Sequence, residues 1–68
     1  MKITLKDMSG VVVACAPITT DEHGYLYADH PTFGFEVECA LYGYQDGGVD
    51  HDVIEDEEGV PYVQWSIQ

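Results

Sequence analysis

The chain begins Lys2-Ile3-Thr4-Leu5-Lys6, in which apolar and polar side chains alternate. After Asp7-Met8-Ser9-Gly10 it enters the β-branched stretch Val11-Val12-Val13-Ala14-Cys15-Ala16. Alternation at a period of two marks a half-buried strand, and a glycine in the connection supplies positive φ, so this stretch predicts a β-hairpin. Pro17 ends the second strand because it has no N–H to give to a ladder. The polar stretch Thr19-Thr20-Asp21-Glu22-His23-Gly24 reads as a connecting turn, and Tyr25-Leu26-Tyr27-Ala28 as a short strand after it.

The segment from Phe33 to Tyr44 carries the fold class. Phe33, Phe35, Val37, Cys39 and Leu41 share one phase of a two-residue period and Glu36 and Glu38 the other, which predicts a strand with two carboxylates on its outer face. A helix starting at Pro31 and capped by Asp29 competes, since Phe33, Val37 and Leu41 are also four apart. Two aromatics, a valine and the internal Gly34 favour the strand. Gln45-Asp46-Gly47-Gly48-Val49-Asp50-His51-Asp52 reads as a loop. A second hairpin follows: Asp52–Glu55, a turn at Asp56-Glu57-Glu58-Gly59, and Pro61–Ile67 with Val63, Trp65 and Ile67 on one face. No internal repeat or low-complexity tract stands out. The expected fold class is mainly β: a small single domain spanning residues 1–68, an antiparallel sheet built from hairpins, with room for one short helix. Strand order, and the choice between monomer and dimer, stay open.

A length of 68 residues fits one domain, with an expected radius of gyration of roughly 11 Å. So short a chain buries only about 60% of its unfolded surface, so its net stability is small. The hydrophobic fraction of 46% argues for folding despite the charge. That charge is extreme: 13 Asp and Glu against 2 Lys and Arg give a net −11, and both cations, Lys2 and Lys6, lie near the start. With almost no cation to displace counterions from phosphates, direct binding of DNA or RNA is electrostatically unfavourable, and anionic membranes are disfavoured equally. MKITLKDMSG lacks the apolar run of a signal peptide, and no stretch is long and apolar enough to cross a bilayer. The expected location is the cytoplasm, where Cys15 and Cys39 are expected to be buried free thiols.

Catalytic and metal-binding patterns do not emerge. Asp46, Asp50, Asp52 and Glu55 cluster oxygens but miss the spacing of a calcium loop. His23, His30 and His51 with Cys15 and Cys39 contain no pair at zinc-ligand spacing. His51 between Asp50 and Asp52 has the look of an oriented base, yet nothing supplies a nucleophile or a deep pocket. The expectation is therefore a non-enzyme with no catalytic residue, no metal site and no cofactor.

What remains is the acidic surface. Seven acids fall between Asp46 and Glu58, and rigid strands and turns would hold them in an array comparable with the phosphates of duplex DNA, which recur about every 1.7 Å of axis. Such an array would occupy a lysine- and arginine-rich groove and exclude nucleic acid from it. The five tyrosines, Tyr25, Tyr27, Tyr42, Tyr44 and Tyr62, would supply apolar anchors. In size, acidity, β-rich pattern and lack of catalytic motifs the chain resembles the phage-encoded anti-CRISPR proteins that act as DNA mimics on type I surveillance complexes. That resemblance implies a viral inhibitor in a bacterial host cell, engaged in host–virus conflict, whose partner is a basic nucleic-acid-binding protein such as a Cas subunit. The expected partner-binding residues, taken from charge clustering, are Asp46, Asp50, Asp52, Glu55, Asp56, Glu57 and Glu58, supported by a row of Glu36 and Glu38. The alternative is a small structural, adaptor or immunity module that recognises protein through a sheet edge or tyrosine patch.

Overall fold

The computed structural model describes all 68 residues. Six strands and one helix follow in the order β1 (Lys2–Asp7), β2 (Val12–Pro17), β3 (Thr19–Thr20), β4 (Leu26–Tyr27), α1 (Gly34–Gly47), β5 (His51–Glu55) and β6 (Pro61–Ile67). The antiparallel sheet expected from the hairpins is present, with strand order β2-β1-β6-β5. Both expected hairpins occur, and their first and last strands pair in the sheet centre, with Ile3 opposite Ile67 and Leu5 opposite Trp65. The short strands β3 and β4 form a separate ribbon, Thr19 opposite Tyr27 and Thr20 opposite Leu26, so the threonines read as turn residues belong to a strand. The radius of gyration is 11.5 Å, close to expectation.

The two-residue period of the strands leaves one face apolar. Ile3 and Leu5 of β1, Ala14 and Ala16 of β2, Ile54 of β5, and Val63, Trp65 and Ile67 of β6 are buried together. An apolar sheet face must be covered, and α1 covers it with Val37, Ala40 and Leu41. All twelve buried residues are apolar, and no buried side-chain nitrogen or oxygen lacks a partner. Lys2, Thr4 and Lys6 alternate with Ile3 and Leu5 and therefore lie on the opposite, open face of the sheet.

The strand predicted across Phe33–Tyr44 is a helix instead. Val37, Ala40, Leu41 and Tyr44 form an i, i+3, i+4, i+7 stripe toward the core, whereas Phe35, inward in the strand reading, is 66% exposed. The competing helix starting at Pro31 with Asp29 as cap was nearer, but α1 begins at Gly34 with Phe33 at the N-cap and no side-chain cap. The turn before it is closed by His30, whose Nδ1 accepts from the N–H groups of Thr32 and Phe33 at 3.1 and 3.0 Å, while Asp29 Oδ1 accepts from His30 N–H at 2.8 Å. The helix also takes in Gln45, Asp46 and Gly47, which were read as loop, and stops where Gly48 adopts φ 68° and donates to the Tyr44 carbonyl at 2.9 Å.

One device closes all three hairpins. Asp7-Met8-Ser9-Gly10-Val11, Asp21-Glu22-His23-Gly24-Tyr25 and Asp56-Glu57-Glu58-Gly59-Val60 share the spacing Asp-x-x-Gly-x. In each, the glycine N–H donates to the aspartate carbonyl, and the aspartate N–H donates to the carbonyl of the fifth residue. The aspartate Oδ1 accepts from the N–H groups two and four residues on, at 2.8 to 3.0 Å. The glycines have φ of 93°, 85° and 80°, in the region that L side chains avoid.

Two outcomes follow for these turns. No atom lies within 4 Å of a Cβ built on Gly10, so Gly10→Val meets only backbone strain. It should lower the unfolding free energy by roughly 1–2 kcal/mol in urea melts at unchanged m, with Gly10→Asn costing less. Asp7 titrates below the usual carboxylate range, first because Ser9 Oγ donates to it at 2.6 Å and then because Val11 N–H does. A lowered folded pKa means that this contribution is complete above the unfolded value near pH 3.9 and is lost as pH falls through the folded one. The Ser9 and Val11 amide resonances should hold their positions down to about pH 4 and shift only below it.

Candidate binding surface

The acids expected to bind a partner fall into three places. Asp50 immediately precedes β5, Asp52 and Glu55 lie on that strand at an outer edge of the sheet, and Asp56, Glu57 and Glu58 continue around the β5–β6 turn. Five residues of strand extend roughly 17 Å, the span of about five phosphates of one DNA strand. Asp56 differs from its neighbours because its Oδ1 is held by the turn. Asp46 stands apart, in the last turn of α1.

Glu36 and Glu38 do not form a row. On a helix, two residues apart means about 200° of rotation, so they project to opposite sides of α1. Glu36 accepts a hydrogen bond from the Tyr62 hydroxyl at 3.3 Å, and Tyr62 titrates above its ordinary range through desolvation and then the Glu36 charge. Glu38 points the other way, into a groove beside β4.

No carboxylate is paired with a lysine. The two ion pairs both involve histidine: His23 with Glu22 at 3.7 Å, and His51 Nδ1 with Asp50 Oδ1 at 2.6 Å. The latter hydrogen bond is the main reason Asp50 titrates below the ordinary carboxylate range. Ser66 lies across the ladder from His51, but no hydrogen bond joins them, and both members of the Asp50–His51 pair are largely exposed. No group of three His, Cys, Asp or Glu side chains converges in a metal-holding arrangement. No helix is long and apolar enough to cross a membrane.

The residues that do converge are ones that sequence reading did not group. Between β4 and α1 runs a groove of about 420 Å³, with Leu26, Tyr27 and Asp29 on one wall and Glu38, Leu41 and Tyr42 on the other. A second hollow of about 330 Å³ adjoins it, lined by Tyr25, Tyr42, Gln45 and Asp46. The two share Tyr42 and Gln45. The Gln45 side chain ties the walls, accepting from Leu26 N–H at 3.5 Å and donating to the Leu41 carbonyl at 3.3 Å. Of the five tyrosines, Tyr25, Tyr27 and Tyr42 stand exposed here, Tyr44 packs against the core, and Tyr62 is bonded to Glu36. The available signal was the repeated Tyr-x-Tyr at positions 25–27 and 42–44. Its halves come together only because residues 34–47 are helical.

Neither a protein-family model, a curated protein nor a solved structure matches this chain.

Both cysteines are free, as expected, but only one is covered. Cys15 is exposed on β2, and Cys39 packs against the core from α1. The Cys39 thiol is pushed up by burial and then by the charges of Glu36 and Glu38. Iodoacetamide at pH 8 should therefore alkylate Cys15 well before Cys39, as read by peptide mass spectrometry over a time course.

Proposed function

We propose that this chain is a non-enzymatic, DNA-mimicking inhibitor that docks its carboxylates on a basic nucleic-acid-binding surface of another protein and keeps nucleic acid out. One observation carries the reading: the acidic edge of β5 and its turn is uncompensated, since neither lysine pairs with any carboxylate and both lie on the open sheet face. A net charge of −11 on a chain this small gives a long-range field that speeds encounter with a cationic surface. Protecting an exposed edge strand takes only a charge or two, and β5 with its turn carries five. The DNA-entry surface of a CRISPR surveillance complex, implied by the resemblance, has the required sign. Of the nine residues expected to bind, Asp50, Asp52, Glu55, Glu57 and Glu58 form the mimic. Asp56 serves chiefly to hold the turn, Glu36 is tied to Tyr62, and Asp46 and Glu38 belong with the groove.

The test is competition for duplex DNA on a purified type I surveillance complex at low and high salt. The parent should inhibit at low salt and weaken as salt rises. The variant Asp50→Asn, Asp52→Asn, Glu55→Gln, Glu57→Gln, Glu58→Gln keeps Asp56 for the turn, and should lose on the order of tenfold or more in potency with a flatter salt dependence. Equal potency of this variant, folded by circular dichroism, would defeat the mimicry reading. A partner recovered from a bacterial lysate, retained at high salt and indifferent to DNA, would replace it with the adaptor reading.

A further inference from the structure

We infer that the groove between β4 and α1 is an arginine-anchoring site, which takes an extended, arginine-bearing segment of the basic partner. The inference rests on the reading above and adds the part of the surface that makes binding specific. Charge alone steers partners together, while affinity concentrates in buried aromatic anchors and their pockets.

The shape fits a peptide. The two hollows join through Tyr42 and Gln45 and follow α1 from Gly34 to Asp46. Twelve helical steps cover about 18 Å, enough for roughly five extended residues. The lining fits a cation with a planar face. Tyr25, Tyr27 and Tyr42 are 66%, 65% and 78% exposed, three large rings in one place on a chain whose core is otherwise apolar and closed. A contiguous exposed aromatic patch of this kind marks a contact surface. Asp29 and Glu38 lie beside the rings at one end and Asp46 at the other, with no lysine near, since both occupy the open face of the sheet.

The position of Asp46 is independent support. It sits in the last turn of α1, where the helix already presents its negative end, and no basic residue in that turn offsets it. For the isolated fold this placement is unfavourable; a bound cation reverses its sign. Arginine suits the site better than lysine because its guanidinium stacks flat on a tyrosine ring while its N–H fork engages a carboxylate.

The experiment is an NMR titration of the full chain with two short peptides of equal charge, Ac-Gly-Arg-Gly-Arg-Gly-NH2 and its lysine counterpart. Salt is set near 0.3 M, where the Debye length of about 6 Å suppresses non-specific attraction. The arginine peptide should bind more tightly, by roughly two- to fivefold per stacked ring, and shift the rings of Tyr27 and Tyr42 and the amide of Leu26. Tyr42→Ala should weaken it by a similar factor, and Tyr27→Ala with Tyr42→Ala by on the order of tenfold. These side chains are exposed, so the variants should stay folded, and Glu38→Gln serves as a second probe. The β5-edge variant should retain peptide binding. Equal affinity for the two peptides, or indifference to the tyrosine and Glu38 substitutions, would overturn the arginine site and leave the edge reading to its own competition assay. Conversely, preserved arginine selectivity in an edge variant that still inhibits fully would uphold the groove and sink the mimic.

Discussion

The pairing of the first strand with the last is the interaction on which the rest of this molecule depends. Ile3 meets Ile67 and Leu5 meets Trp65 across the central ladder, so residues 60 and 64 positions apart form the floor of the core. Each of these strands brings its hairpin partner to its outer side, and the order β2-β1-β6-β5 follows from that one contact and two tight turns. The helix has its place because these side chains need a cover. At Gly43, where a Cβ would lie 3.4 Å from Trp65 Cζ2, α1 comes close enough to seal the indole. A long-range pairing is slow to find, since its loop-closure entropy is lost before any contact repays it, and this makes the local turns important. Three Asp-x-x-Gly-x turns pre-set the hairpins, leaving the chain only to join two ready-made ribbons.

Those turns also change what the acidity means. A charge of −11 opposes compaction, yet three of the carboxylates, at Asp7, Asp21 and Asp56, are turned inward on their own backbones and close hairpins. Asp29 and Asp52 likewise accept from the N–H of the next residue. Asp50 is occupied by His51 and Glu36 by Tyr62. The acids therefore divide into the turn aspartates, which the fold consumes, and others such as Asp50 and Asp52, which have a local partner and still stand exposed to water, a distinction that composition cannot make.

What the sequence made legible follows the same division. The two main hairpins could be read because a strand's signal is local: alternation, β-branching and a glycine at the turn. The helix was misread because Phe33, Phe35, Val37, Cys39 and Leu41 satisfy a two-residue period, and Ala40, which settles the helical stripe, is too small to register as a core signal. Placing Glu36 and Glu38 in one row was a consequence of that period; at 100° per residue the pair splits across α1. The recurring turn was present in the letters at 7–11, 21–25 and 56–60, but five residues are too short for a repeat to stand out until the hydrogen bonds show its equivalence. The groove was beyond reach, because it joins residues 25–29 to 38–46 through a helix that the pattern did not favour.

The two edges of the sheet put the remaining charge in perspective. β2 has no charged residue, and Val11, Val12 and Val13 stand exposed on and beside it. Apart from Pro17, such an edge invites pairing with a second chain. A net −11 opposes the approach of a second copy at a distance, so the global charge acts on this edge although the strand carries none of its own. By the same logic, solubility sets no requirement on where each acid stands; any even scatter would serve. The acids are not evenly scattered. Nine of the 13 stand on or beside β5 and its turn, or at the two ends of a tyrosine groove where one of them opposes the helix dipole. Placement that stability does not ask for, and in the case of Asp46 resists, is what supports the proposal of a positively charged partner.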